Sequence, residues 1–454
     1  MHGTGNNWIE EEFKTLEFGS VRLEKRFVKT MEDMSAEPEK SIFLASGSRS
    51  QAQAVYRMLA NEKCAKEEIL SSHRDALVVR SQAENILLAV QDTMSVNYAG
   101  HEKTEGMGYN CDKTLGVNTH SCLSFTTEGI PLGILAQSQS TRTEKDGRSH
   151  SEKQKRPIEE KESYRWLETM EEAAKNAPEN VKLIHICDRE GDIYELYALA
   201  ERTGETFIIR AAHDRLSTDN KKIVEELYDT PVSGRVKVTI PANHAAKTKE
   251  REAVMKVRYK EFEVKKPALL KGNESLAPSL KLTLISLLEE NAPLGEFPIE
   301  WLLMTNFPVN CAEDAIQISK YYKHRWKIER FHFVLKSGCK IEKIQQRSVD
   351  GIELVILMYS IIAVHIMALT YIARNAPETP VDLIFSKIEW QTLFRAANYT
   401  RSSPENPYSI ADAVRYVAKL GGFVGAPSDG PPGLKVIWLG LNKLYVLIAF
   451  RDVF

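Results

Sequence analysis

Hydrophobic positions change period several times along the chain, and each change predicts an element. In residues 1–72 they recur mostly with helical spacing, interrupted by loops. Residues 23–34 form a mixed-charge helical stretch, and residues 50–59 (SQAQAVYRML) a second, followed by a polar break near Asn61. Extended signals come next. The apolar run 85–90 (NILLAV) ends in Gln91-Asp92, which predicts a strand delivering an acid at its C-terminal end. Residues 119–127 and 131–138 flank Gly129 and read as a hairpin. The polar, basic stretch 137–156 predicts a loop, and 159–175 a helix with Trp166, Leu167 and Met170 on one face. A second apolar strand, 181–187 (VKLIHIC), ends in Asp188.

From about 205 to 308 the segments FIIRAAH, GRVKVTIP, AVMKVRYKEFEV, LKLTLISLL and IEWLLMT alternate with Gly, Pro and Asn breaks, as a run of antiparallel strands would. Residues 312–336 return to helical spacing without Pro or Gly. Residues 354–373 (LVILMYSIIAVHIMALTYIA) carry no formal charge and approach the length a bilayer requires. The stretch holds Ser360, His365, Thr370 and two tyrosines and stands alone in mid-chain, so a buried helix at the centre of a domain fits it better. Residues 410–419 read as a helix, 421–433 as a loop, and the apolar, aromatic stretch 438–450 as a helix that docks on another element.

Composition narrows the class. The 454 residues suggest about three domains, and 43% hydrophobic residues exclude a mostly disordered chain. Lys+Arg at 60 against Asp+Glu at 62 excludes a uniformly basic protein while leaving local patches open. Cys64, Cys111, Cys122, Cys187, Cys311 and Cys339 form no C-x-x-C pair and are too sparse for a disulfide framework, which fits a reduced, cytosolic protein. MHGTGNNWIEEEF lacks the basic and apolar regions of a signal peptide. Residues 1–72 hold 10 Lys/Arg against 12 Asp/Glu, so DNA contact there would rest on particular residues such as Arg22, Arg26, Arg49 and Arg57.

The chemistry starts with Asp92 and Asp188. Two apolar strands ending in acids would, in one sheet, bring the carboxylates together at its edge. Close carboxylates repel, and a shared proton or a divalent cation relieves the repulsion. Oxygen-only ligands favour Mg²⁺ or Mn²⁺, although acids also end strands simply by meeting solvent. The basic stretch is sharper. Nine basic residues lie between Lys320 and Arg347 against Glu329 and Glu342 alone, a local charge of +7 in a chain of net −2. Tyr322, Arg325, Glu329 and Lys336 fall at i, i+3, i+7 and i+14, one face of a helix. Glu329 there could pair with Arg325, or ligate a metal among phosphate-binding cations.

The segments LLAVQDTMSVNY (87–98), ICDREGDIYEL (186–196) and YKHRWKIERFH (322–332) resemble the three signature blocks of bacterial DDE transposases, within the insertion-sequence-four class and its Tn-five group. Tyr322, Arg325, Glu329 and Lys336 fit the group's Y-x₂-R-x₃-E-x₆-K signature in full. GSRSQAQAVYRML (47–59) resembles the group's N-terminal DNA-binding domain, FIIRAAH (207–213) and EWLLMT (300–305) its β-rich insertion, and RYVAKLGGF (415–423) the start of its dimerisation region. Phe333 departs from the pattern, standing where a lysine is found in the group, and the C-terminal region is shorter.

The resemblance implies an α/β architecture. An RNase H-like mixed-sheet catalytic core with a β-rich insertion would be flanked by mainly helical N- and C-terminal domains. It implies a DNA-binding domain at 1–72, a catalytic domain at 73–372 with its insertion at about 200–310, and a dimerisation region at 373–454. Asp92, Asp188 and Glu329 would bind two Mg²⁺ ions, with Mn²⁺ able to substitute. Tyr322, Arg325 and Lys336 would hold the transposon-end DNA around the cleaved phosphate. Trp301 would stack on a flipped base, with Arg210 near that strand; a core tryptophan in an apolar strand is the plain alternative. His185, His324 and His332 read as packed or DNA-facing rather than as ligands. The implied activity is cut-and-paste transposition: hydrolysis at the transposon end, hairpin formation and strand transfer to target DNA. The partners would be inverted-repeat and target DNA and a second copy of the chain, with no membrane, in the bacterial cytoplasm at the nucleoid. The alternatives are an RNase H-like nuclease that cuts without joining, and a non-catalytic DNA-binding inhibitor or domesticated derivative.

Overall fold

The computed structural model describes residues 8–100, 102–142, 156–240, 251–270, 272–426 and 429–451. They fall into two compact units: Met1–Asn85, Thr93–Lys145 and Lys327–Phe454 form the first, and Ile86–Asp92 and Asp146–Trp326 the second. The boundary passes through strand β1 (Ile86–Asn97), which belongs to both.

The second unit is a mixed sheet. Its strands, β4 (Lys182–Cys187), β5 (Thr206–Arg210), β6 (Gly234–Ile240), β7 (Arg251–Lys265), β8 (Ser279–Glu289) and β9 (Glu300–Thr305), follow β1 in the order β1-β4-β5-β9-β8-β7-β6. β1, β4 and β5 run parallel, and β5 meets β9 antiparallel. β9, β8, β7 and β6 complete the expected antiparallel run. One face is covered by α6 (Tyr164–Lys175) and α7 (Tyr194–Thr203), whose Trp166, Met170, Tyr197 and Leu199 pack with Phe207, Ile209 and Met304 in a single core. The short α8 (Ile223–Tyr228) stands between β5 and β6 in the chain. The helix expected over 159–175 starts only at Tyr164, after a 3₁₀ turn at Ile158–Glu160.

In the first unit β1 is followed by the hairpin of β2 (Gly116–Phe125) and β3 (Pro131–Ser140), in the order β3-β2-β1. The hairpin turn holds Gly129 at φ 82°, a region that glycine enters without strain. β3 runs four residues into the stretch expected as a loop, and residues 143–155 of that stretch lie outside the described residues. With an antiparallel hairpin on one side of β1 and parallel strands on the other, the chain has an RNase H-like α/β core carrying a β-rich insertion.

Helices make up the rest of the first unit. α1 (Trp8–Glu12), α2 (Val21–Ala36), α3 (Ile42–Ala45), α4 (Arg49–Leu59) and α5 (Lys66–Arg80) precede the sheet. α2 buries Phe27, Thr30, Met31 and Met34, one helical face, and α4 is capped by Ser48, whose hydroxyl accepts from Gln51 N. The apolar run in mid-chain is the centre of the helix Val349–Asn375. It is the one helix among the described residues long and apolar enough to cross a bilayer, yet 83% of its most apolar window is buried. It packs on β3, where Gln137 Nε2 donates to Ser360 Oγ at 3.0 Å, as a core helix does.

Two expectations need correction. β1 does not end at Asp92: it continues to Asn97 with alternating burial, because Thr93 to Asn97 still have strand neighbours to pair with. Asp92 therefore sits within a strand. The stretch 312–336 is not one helix either. α9 (Ala312–Lys323) comes first, a turn at His324-Arg325 breaks the run, α10 (Trp326–Phe333) resumes it, and Val334–Gly338 widens into a π turn. With α11 assigned to Val349–Asn375, the C-terminal segment adds α12 (Lys387–Asn398), α13 (Ile410–Leu420) and α14 (Leu434–Arg451). The docking helix expected at 438–450 is α14, and it lies against α13.

Candidate active site and nucleic-acid interface

Register builds the site in the second unit. β1 and β4 pair with a constant offset, Ile86 opposite Lys182 through to Val90 opposite Ile186. Carried past the last paired residues at the same offset, this register would set Asp92 level with Asp188, which stands one residue beyond the end of β4. Asp92 thus lies inside β1, and Asp188 follows the end of the adjacent parallel strand.

Each carboxylate has a defined partner. Arg325 Nη1 lies 3.4 Å from Asp92 Oδ2, with both side chains nearly buried. Asp188 caps the 3₁₀ turn Arg189–Gly191, its Oδ1 accepting from Glu190 N at 2.8 Å. The break between α9 and α10 matters here, since Arg325 stands in that turn and is 7% exposed. Tyr322, three residues earlier, is 2% exposed, and its hydroxyl makes no hydrogen bond among the described residues. Burial pushes that phenol up to about 12; Asp188 and Cys187 push the same way, while Arg325 and Arg210 oppose them. Trp301 stands edge-on to Tyr322, with ring centroids 5.8 Å apart.

Arg210 closes β5 and donates from Nη2 to Glu300 O at 3.2 Å. Burial holds its guanidinium below the usual arginine range, with the charges of Arg189 and Arg325 adding to the effect. Arg189 was not singled out in the sequence, although it stands beside Asp188 in C-D-R-E-G-D. The middle of β1 and the C-terminal ends of β4 and β5 therefore bring two carboxylates, several arginines, a buried phenol and an indole to one region of the unit. His185 is a packed residue, as expected: it is fully buried, with Nδ1 3.4 Å from Gln91 Nε2 and Nε2 3.1 Å from Glu205 Oε2.

Glu329 and Lys336 belong to the first unit. Glu329 lies on α10, four residues past Arg325 along the chain; its side chain is 44% exposed and 4.0 Å from His332 Nδ1. Lys336 stands in the π turn, 3.6 Å from Glu342 Oε1. The single helical face predicted for Tyr322, Arg325, Glu329 and Lys336 is thus divided among α9, a turn, α10 and a π turn. Much of the basic run is engaged within this unit, Lys340 with Glu39 at 2.9 Å and Lys327 with Gly129 O. Phe333 packs against Trp438 at 5.8 Å.

A second site lies at the N-terminal end of the chain. α2 and α4 bound an open groove of about 850 Å³ lined by Arg22, Lys25, Arg26, Lys29, Arg57 and Lys63. Three of the four expected arginines line it; Arg49 is exposed at the first position of α4, outside the lining. The three lysines were missed in the sequence. For Lys25 and Lys29 the signal is the spacing of residues 22, 25, 26 and 29, which places cations on one side of a single helix, whereas Lys63, past the end of α4, has no such signal. The segment is acidic overall, yet its fold sorts these cations into one groove, the kind of surface that suits a polyanion.

Comparison with known families bears on the groove and on the C-terminal segment. Residues 5–64 match the transposase DNA-binding family, which includes the whole basic groove. Residues 361–451 match the transposase Tn5 dimerisation domain. Together the DNA-binding match at one end and the dimerisation match at the other indicate a Tn5-type transposase.

Proposed function

We propose that this DNA transposase works by cut-and-paste, with Asp92, Asp188 and Glu329 as its catalytic acids. The reading is supported by Asp92 on β1 and Asp188 just past the end of the adjacent parallel strand β4, with Arg325 Nη1 3.4 Å from Asp92 Oδ2. Two carboxylates so placed need a cation, and in this structure a guanidinium partly answers that need. An all-oxygen donor set fits Mg²⁺, with Mn²⁺ as a substitute. Asp92, Asp188 and Glu329 would hold two such ions, which when bound supply an activated nucleophile and stabilise the leaving oxygen.

The chain's own groups position the DNA. Arg325 offers a planar fork to a phosphate, Tyr322 contributes a buried, unused hydroxyl donor, and Lys336 adds a point charge. They hold the scissile phosphate while hydrolysis frees a 3′-hydroxyl at the transposon end, and while that hydroxyl displaces the opposite strand to close a hairpin. They hold it again when the reopened end joins target DNA. Trp301 serves as the platform for an unstacked base, with Arg210 at its flank. The groove on α2 and α4, together with Arg49, reads the terminal inverted repeat. The C-terminal segment pairs two copies so that both ends are held, in the cytoplasm of a bacterial host at its nucleoid.

The test is product analysis on DNA carrying the terminal repeats with Mg²⁺, comparing wild type with Glu329→Ala. Hairpin-ended excised DNA from wild type alone is expected. Nicks without hairpins or joined products would indicate a nuclease, and tight binding without cutting, unchanged in the variant, an inhibitor.

A further inference from the structure

In the second unit the start of α7 borders a cavity of about 600 Å³, within the size range of small-molecule sites. Its walls come from the 3₁₀ turn Ile158–Glu160 and the residues after it, the first turn of α7, the loop that follows β5, and the end of β7 with the 3₁₀ turn Ala268–Leu270. Ile193 at the N-cap of α7 offers no side-chain acceptor, so the first N–H groups of this ten-residue helix remain open to a ligand.

A second observation lies in the same turn. Glu195 lines the cavity and is only 8% exposed, yet among the described residues its carboxylate has no hydrogen bond and no ion pair. A buried carboxylate ordinarily takes a cation or several N–H donors. The acids beside it do so. Asp192 accepts from Ala212 N and His213 N and pairs with Arg215, and Asp214 accepts from Val224 N. The helix dipole favours a glutamate in a first turn but gives no reason to bury it. Lys161, Lys265 and Lys266 line the cavity too. Lys265 meets Asn220 Oδ1, and Lys266 the carbonyls of Asn273 and Leu276, neutral oxygens that leave both charges unbalanced. Leu216, Pro267 and Leu269 add an apolar wall.

We propose that this cavity binds a guanine nucleotide. The lysines and the open N–H groups of α7 take the phosphate, and the apolar wall covers the flat base. Glu195 accepts from the base edge. The N1–H and the N2 amino group of guanine stand side by side and match the two oxygens of one carboxylate. Adenine, cytosine and thymine each set an acceptor next to their donor, which a carboxylate repels. A sugar phosphate lacks the flat apolar face, and inorganic phosphate lacks both face and edge. The catalytic acids take no part in this site, and nucleotide binding is read without cleavage, so the two readings fail separately.

Titration calorimetry on the full chain with dGMP, dIMP, dAMP and inorganic phosphate tests this. We expect saturable binding of dGMP, with dIMP, which lacks the N2 amino group, roughly tenfold weaker for the loss of one hydrogen bond to a charged group. Inorganic phosphate should bind weakest. Glu195→Ala should bring dGMP and dIMP to the same affinity. Lys161→Ala, a change at a half-buried loop position, should weaken both severalfold and keep their ratio, which holds the test open if the buried variant fails to fold. A single-stranded oligonucleotide holding one guanine, or hypoxanthine in its place, distinguishes the two sources of the ligand. Preference for dGMP alone identifies a free nucleotide, and the same preference in the oligonucleotide identifies a base of a DNA strand. Saturation by none of these probes, equal affinity of wild type for the guanine and hypoxanthine forms, or a guanine preference that survives Glu195→Ala would each overturn the proposal.

Discussion

Asp92 and Asp188 show how a residue's chemistry depends on pairing partners far along the chain. In the sequence each looked like an acid leaving a strand, and only Asp188 is one. The first unit carries a comparable residue-scale arrangement at Glu12, His73 and Arg80. Glu12 is buried, and its carboxylate takes His73 Nδ1 and two guanidinium nitrogens of Arg80, at 2.6 and 3.2 Å. Burial alone would raise its pKa, but Arg80 and His73 outweigh that and hold it at about 2. His73 Nε2 accepts from Ile134 N at 2.8 Å, which fixes the neutral tautomer. Burial depresses the imidazole, and protonation would set a second donor against that N–H. Both signs agree. A depressed His73 loses stability as pH falls below 6.5, and a depressed Glu12 as pH falls below 4.5 towards 2. Thermal melting from pH 7 to pH 3 should therefore show a midpoint that drops in two stages. Glu12→Gln should remove the lower stage; a flat midpoint would contradict the argument.

At the scale of elements, most of the fold was legible where periodicity was strong. The hairpin around Gly129, the strand at 182–187, the β-rich run and the buried apolar helix all followed from period and breakers. Three features were not. Nothing in TMSVN marks where β1 ends, because a strand continues as long as a neighbour pairs with it. The α9–α10 break has no Pro or Gly to announce it, and its correlate is a long-range one, the Arg325 side chain reaching Asp92. α12 escaped notice because its apolar face is short. The α13–α14 contact depends on two glycines acting reciprocally. A Cβ on Gly440 would meet Val417 O at 1.8 Å, and one on Gly421 would meet Val436 O at 1.8 Å, so backbone packs on backbone. Gly440→Ala should cost about 2 kcal/mol or more, since neither carbonyl can move without shifting its helix. Chemical denaturation measures this, and a loss under about 0.5 kcal/mol, ordinary for surface positions, would show the helices free to separate.

For the whole molecule, net charge was a poor guide. A chain of net −2 forms a cationic groove because folding sorts its charges by surface, and the sum over the sequence does not report that sorting. Binding to end DNA should be strongly salt-dependent. Replacing Arg26 and Arg57 with alanine should weaken it and lower the slope of log affinity against log salt by about one for each phosphate no longer neutralised. An unchanged slope, from a salt titration of both proteins, would place the DNA elsewhere.

The account stands most directly on Asp188, the acid that follows the end of β4, the parallel neighbour of the strand that carries Asp92. The decisive measurement is single-turnover cleavage of terminal-repeat DNA in Mg²⁺ by wild type and by Asp188→Asn, with binding followed in the same reactions. The account predicts that the variant binds as wild type does and yields no nicked, hairpin or joined product. Cleavage by Asp188→Asn at a rate near that of wild type would contradict it.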